Sequence, residues 1–324
     1  AAAMEKGISP NDMIEDRPVT LGTWSPHNYG NKYRGKIPVY TALMVSSNVC
    51  AARMIQEVGV RAVIQTARVL GIETPLEYDY TIALGSNGVK LFEFTRAYGA
   101  FANGGFVVQP YSVERVETSR GKVVYKAPKT KISHQLSMNT AAEMTAMLKT
   151  VMSNGTGRAA NIGKPAAGKT GTTDDNKDAY FVGYTPNIVT GVWVGNDDNT
   201  VMSKIVQGGT VPALIWRDVM KVATEPYGKA EFNYPEVQLI PFAAGSNVKI
   251  IGGDDNAEKP KEEEEKPVNL DDVTAVTPAD VVKNANKKNA EQPVSVPVAP
   301  KPAAPAKPAA APIPIPMAVP ESLH

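Results

Sequence analysis

The chain has 324 residues, 43% of them hydrophobic, and a formal net charge of +1. That is enough for one or two packed domains, and the charge balance argues against nucleic-acid binding. The single cysteine, Cys50, excludes an internal disulfide, and the three histidines (His27, His134, His324) are scattered without metal-site spacing. No metal site is therefore expected.

Ala1-Ala2-Ala3-Met4-Glu5-Lys6-Gly7 reads as the last turns of a helix ending at a glycine cap. Ser46-Ser47-Asn48 falls where one helical pattern stops and the next begins. Cys50, Met54 and Val58 line one helical face, which makes Cys50 a packing residue. Val63, Ala67 and Leu70 line another, closed by Gly71. Residues 111–118 and 122–126 predict a hairpin around Ser119-Arg120-Gly121. Thr140-x-x-Glu143 predicts a capping box opening a helix with Met144, Met147, Leu148 and Val151 inward, ended by Asn154-Gly155. Three strands are expected at about 166–172, 178–185 and 188–195, with a tight turn at Pro186-Asn187. A last helix, Val211 to Ala223, is expected to turn Leu214, Ile215, Val219 and Val222 inward. Helices followed by an antiparallel meander and a packing helix predict an α+β domain over 1–228.

From residue 229 the composition shifts. No aromatic residue follows Phe242, and over half of the 26 prolines lie in the last 84 residues. Lys259 to Lys266 is a charge run, and 293–320 alternates Pro, Ala, Val, Ile and Lys. Such a segment buries too little apolar surface to offset its ordering entropy, so 229–324 is expected to be a disordered tail. No apolar run reaches transmembrane length, and no signal peptide is visible.

Two short stretches carry chemistry. In Gly168-Lys169-Thr170-Gly171-Thr172-Thr173, Lys169 supplies a fixed positive charge and Thr170 and Thr172 supply hydroxyls. Gly171 removes a side chain, so a ligand can lie against the backbone. The set suits an extended ligand ending in a carboxylate. Ser46 and Asn48, two positions apart at a helix start, can project a hydroxyl and a carboxamide into one cleft. Ser and Asn are also ordinary caps, and Lys-Thr-Gly alone is a common tripeptide. Together, about 120 residues apart and in this order, they resemble the second and third motifs of the penicillin-recognising serine enzymes.

The resemblance extends through Asn28-Tyr29 to Gly35, Ala83-Leu84-Gly85-Ser86, Ala97 to Gly105, Asn154 to Ala160, Asp178 to Tyr184, Val192 to Gly195 and Gly208 to Trp216. It covers roughly residues 1–228 and is similar to the transpeptidase domain of bifunctional (class A) penicillin-binding proteins. Their fold has an antiparallel sheet packed with helices plus an all-helical lobe. The family's nucleophile belongs to an upstream Ser-x-x-Lys. Ser119-Arg120-Gly121-Lys122 lies in a hairpin turn, and Ser246-Asn247-Val248-Lys249 at the edge of the tail. Both follow Ser46 and neither opens a helix. A second Ser-x-Asn, Ser137-Met138-Asn139, is explained by local structure. The resemblance implies that the nucleophile lies about two turns, or ~12 Å, before Ala1, and that the first sheet strands also precede it. Strand 188–195 is then expected to present an unpaired edge, and the chain alone to be poorly stable.

By resemblance, the upstream serine attacks the bond between two D-alanines of a peptidoglycan stem peptide, and a neighbouring amine resolves the acyl-enzyme. Ser46 relays a proton, Asn48 holds the substrate amide, and Lys169 keeps the cleft positive. The same resemblance implies that Thr170 and Thr172 bind the terminal carboxylate, that Gly171 is part of the substrate-binding strand, and that the Thr172 N–H forms half of an oxyanion hole. β-Lactams are expected to trap the same serine, and the resemblance implies no metal or organic cofactor. The implied setting is the periplasmic side of a bacterial membrane, with an anchor and a glycosyltransferase domain upstream. A non-catalytic peptide-binding module and a D,D-carboxypeptidase or β-lactamase relative remain open alternatives.

Overall fold

A computed structural model describes residues 1–241 and 250–251. The chain opens with α1 (Ala2–Glu5), which ends in a paired cap. The N–H of Gly7 reaches Met4 O at 2.8 Å and that of Ile8 reaches Ala3 O at 3.1 Å. Gly7 takes the left-handed φ of 80° this motif needs. Then come β1 (Met13–Asp16) and β2 (Gly35–Pro38), paired antiparallel, and α2 (Val39–Val45), α3 (Asn48–Val58) and α4 (Val60–Val69). Ile14, Ile37, Val39, Ala42, Val49, Cys50 and Val58 bury together as the core of this lobe. Cys50 is packed inside, and burial pushes its thiol up to about 12.

The second lobe starts at α5 (Leu91–Ala102). Next are β3 (Phe106–Val108), β4 (Arg115–Glu117), β5 (Val123–Lys126) and β6 (Ile132–His134). β4 and β5 form the expected hairpin, shorter than the sequence implied, and β3 pairs with β6 around its base. α6 (Met138–Ser153) follows. It begins earlier than Thr140: Ser137 is the cap, its Oγ accepting the Thr140 N–H at 3.0 Å. The Ser137-x-Asn139 tripeptide is thus a helix start, and Thr140 is buried inside the first turn.

β7 (Ala167–Thr172), β8 (Asp178–Tyr184) and β9 (Val189–Gly195) form an antiparallel sheet in that order, so β7 and β9 are its edges. α5 and α6 cover one face. There Tyr184 and Ala167 meet Phe101, Ala97 and Leu148. α7 (Val211–Ala223) covers the other, where Phe181 meets Trp216 and Met220. The inward face of α7 is Ala213, Trp216 and Met220, all at 0% exposure, while Ile215, Val219 and Val222 point outward. The sheet selects that face. Gly183 clears room for the indole, and Trp216 Nε1 donates to Thr190 O at 3.1 Å.

Residues past 228 do not leave the domain where composition changes. Tyr234 Oη donates to Phe101 O at 3.0 Å and sits 2.8 Å from Thr145 Oγ1, which also meets the Tyr184 hydroxyl at 2.8 Å. Phe232 packs edge-on to Tyr184, and Lys149 lies over its ring. Ile250–Ile251 forms β10, parallel to β1, with Ile251 buried in the first lobe's core. The expected tail therefore yields these residues to the fold. Residues 242–249 and 252–324, including Ser246 to Lys249 and the charge run, lie outside the described residues.

Candidate functional site

α2 and α3 are joined by two residues, an exposed Ser46 and a buried Ser47. Ser46 ends α2 in the left-handed region, φ 59° and ψ 49°. Its N–H reaches Leu43 O at 3.2 Å, and the Ser47 N–H reaches Ala42 O at 2.9 Å. A glycine is the usual occupant of such a cap. Ser47 then caps α3, its Oγ accepting the Cys50 N–H at 3.2 Å. The alternation leaves Ser46 exposed, Ser47 buried and Asn48 half-buried. Asn48 donates Nδ2 to His27 O at 2.8 Å.

β7 faces this corner with Lys169. Its Nζ donates to Ser46 Oγ at 2.8 Å, across 123 residues of sequence. It also meets Thr170 O at 3.0 Å and Thr170 Oγ1 at 3.4 Å, so three acceptors surround the three ammonium protons. Lys169 keeps some accessible area, yet protein closes round its head, and this burial pushes its pKa down to about 8.

Thr170 Oγ1 lies 2.7 Å from Thr156 Oγ1, and Thr172 Oγ1 accepts the Gly208 N–H at 2.9 Å. Gly208 and Gly209 run against the strand: a Cβ on Gly208 would sit 2.5 Å from Gly171 O and from Tyr180 O, and one on Gly209 2.5 Å from Thr156 O. A Cβ on Gly171 itself would meet only Tyr180 Cβ, at an ordinary 3.5 Å.

The structure brings Ser46, Lys169 and Thr170 into one connected set, with Gly171 and Thr172 along the same strand. Asn48 stands beside the set, tied to the loop at His27 rather than to Lys169. Thr156 was not singled out from the sequence. Its signal is the Gly155-Thr156-Gly157 run. A Cβ on Gly155 would come 2.3 Å from Met44 O, which lets this turn press against the end of α2. Ser47, which the sequence marks only as the middle of Ser46-Ser47-Asn48, meets Asp16 and Asn28 in the folded chain. Among the described residues no three His, Cys, Asp or Glu side chains gather as metal ligands.

Residues 1–221 match the family model described as penicillin binding protein transpeptidase domain. Among curated proteins, penicillin-binding protein 1A of Rickettsia conorii is 31% identical over 282 residues, covering 78% of this chain and 34% of its own length. That of Aquifex aeolicus is 35% identical over 228 residues, covering 67% and 30%. The chain thus spans about a third of the length of these relatives. Among solved structures, penicillin-binding protein 1A from Haemophilus influenzae superposes with a TM-score of 0.67 at 27% identity, over 72% of this chain and 42% of that one. PonA1 from Mycobacterium tuberculosis, in complex with penicillin V, gives 0.66 at 25% identity, over 75% and 70%. The fold is the α+β fold of the penicillin-recognising enzymes, and the chain belongs to the penicillin-binding protein transpeptidase domain family.

Proposed function

We propose that this chain is the substrate-holding part of a peptidoglycan D,D-transpeptidase, which cross-links stem peptides ending in D-Ala-D-Ala through an acyl-enzyme. The observation that carries the reading is the 2.8 Å bond from Lys169 Nζ to Ser46 Oγ, which joins the two motifs. The unpaired edge of β7 offers main-chain groups to an extended peptide, in the manner of an added strand. Gly171 keeps that edge clear, since protein packing alone does not require a glycine there.

The nucleophilic serine comes from a segment before Ala1, so residues 1–324 alone are inactive. Ser46, held by Lys169, passes a proton between the reacting groups. A lysine pushed down to about 8 gives this relay both a charged and a neutral form at working pH. Lys169 also draws the substrate carboxylate, which Thr170 and Thr172 anchor. Thr172 Oγ1 accepts from Gly208, so its own O–H is left to donate. The Thr172 N–H contributes to the oxyanion hole. Asn48 orients the substrate amide. β-Lactams enter as mimics of the same peptide. The site works outside the cytoplasmic membrane, on a protein with an upstream anchor and a glycosyltransferase domain.

Labelling of the full-length protein with a fluorescent penicillin tests this. Covalent tagging is expected, and Lys169→Ala or Ser46→Ala lowers its rate by about 100-fold or more. An unlabelled protein would mark a binding module without catalysis. Labelling without cross-linked dimers from stem-peptide substrates would favour the carboxypeptidase or β-lactamase alternative.

A further inference from the structure

Asp16 ends β1, and its side chain is wholly buried at 0% exposure. Groups from the β1–β2 connection and from the α2–α3 corner converge on it. Oδ1 accepts from Ser47 Oγ at 2.7 Å and from Asn28 Nδ2 at 2.7 Å. Oδ2 accepts the Arg34 N–H at 3.0 Å and faces the Arg34 guanidinium at 3.7 Å. Asn28 continues the web: Oδ1 accepts the Val49 N–H at 3.2 Å and lies 3.2 Å from Ser47 Oγ, and Nδ2 also donates to Lys32 O at 2.8 Å. A carboxylate is expensive to bury, and this one is satisfied only because these partners arrive together.

Its place gives the web a use. Ser47 stands between Ser46 and Asn48. Fixing the Ser47 side chain fixes the peptide units on either side of it, and with them the left-handed Ser46 that aims at Lys169. Asn28 follows His27, whose carbonyl receives the Asn48 amide. One carboxylate thus reaches both members of the corner, one through Ser47 and the other through Asn28 and its neighbour. On the transpeptidase reading above, we infer that Asp16 is a positioning residue: from beneath the Ser46–Asn48 corner it sets Ser46 Oγ within hydrogen-bond reach of Lys169 Nζ. Asp16 touches no substrate itself. Misplacing a reacting group by about 1 Å can cost about 100-fold in rate, so a partial loosening should be visible in the chemical step.

The test uses the full-length protein and a fluorescent penicillin, with initial binding and acylation resolved by rapid mixing. Asp16→Asn keeps the shape and removes the charge. It is expected to slow acylation by about tenfold or more while initial affinity moves by less than about threefold. A purely structural loss would add to any other lesion. Here the Asp16→Asn/Ser46→Ala double variant should be no slower than Ser46→Ala alone, within about twofold. Ser47→Ala, a milder change, is expected to slow acylation in the same direction and carries the decision if Asp16→Asn does not fold. Acylation at the wild-type rate in either folded variant, or losses that multiply in the double variant, overturns the inference alone. A wild-type protein that takes no label overturns the transpeptidase reading and the inference with it.

Discussion

Ser46 holds a backbone conformation that its own side chain disfavours. A left-handed φ of 59° in a non-glycine residue costs about 1–2 kcal/mol, and such strain concentrates where a side chain is needed in one direction. Local helix ending explains the turn, because two backbone bonds close α2 over it. It does not explain the serine, since glycine would close the same cap without strain. The hydroxyl bonded to Lys169 does. Ser46→Gly should therefore stabilise the protein by up to about 1 kcal/mol, the relief being partly offset by glycine's unfolded-state entropy. A raised melting temperature with penicillin labelling lost is the expected pair of results. A lowered melting temperature would show that the hydroxyl, not the backbone, dominates at this position. The hydroxyl, carboxamide and lysine were legible as a spaced pattern. Asp16 was not, because Glu15-Asp16-Arg17 reads as ordinary solvated charge until folding brings Asn28, Arg34 and Ser47 around it.

At the level of elements, periodicity located several helices and the β7-β8-β9 meander, and it gave the inward faces of α3 and α6 but not that of α7. α7 carries two apolar stripes of helical spacing, and the sequence favoured the aliphatic one. The sheet settled the matter with a tryptophan, which needs both a large apolar slot and an acceptor for its N–H. The segment after α7 has no period at all, so composition assigned it to the tail. Its aromatic residues are what bind it. Phe232 and Tyr234 lie across α5 and α6, and the Tyr234 hydroxyl closes a chain from Tyr184 through Thr145 to Phe101 O. Tyr234→Phe keeps the ring and leaves the Phe101 carbonyl and Thr145 short of a partner. A loss of about 1–2 kcal/mol in unfolding free energy is expected by denaturant titration. An unchanged midpoint would mean that water replaces the phenol and that this strap is loosely held.

Across the whole molecule, the two edges of the β7-β8-β9 sheet face opposite demands. β7 must stay open if a peptide is to lie along it. β9 reads Val189-Thr190-Gly191-Val192-Trp193-Val194-Gly195, a sequence that pairs readily, and no described residue completes it. Beside it, the outer stripe of α7 exposes Ile215, Val219 and Val222, the last at 68%. An open valine-rich edge next to an apolar helix face is a surface that seeks cover, from another part of a longer protein or from a second copy. The 324-residue chain studied alone is therefore expected to self-associate from about 10 µM upward, seen as a concentration-dependent rise in sedimentation coefficient. Val219→Lys with Val222→Lys should shift that onset to higher concentration without lowering the melting temperature, because both side chains already face solvent. If the chain sediments as a monomer throughout, the exposed stripe and edge do not drive association. If the lysines lower the melting temperature instead, this face is packed against the chain itself.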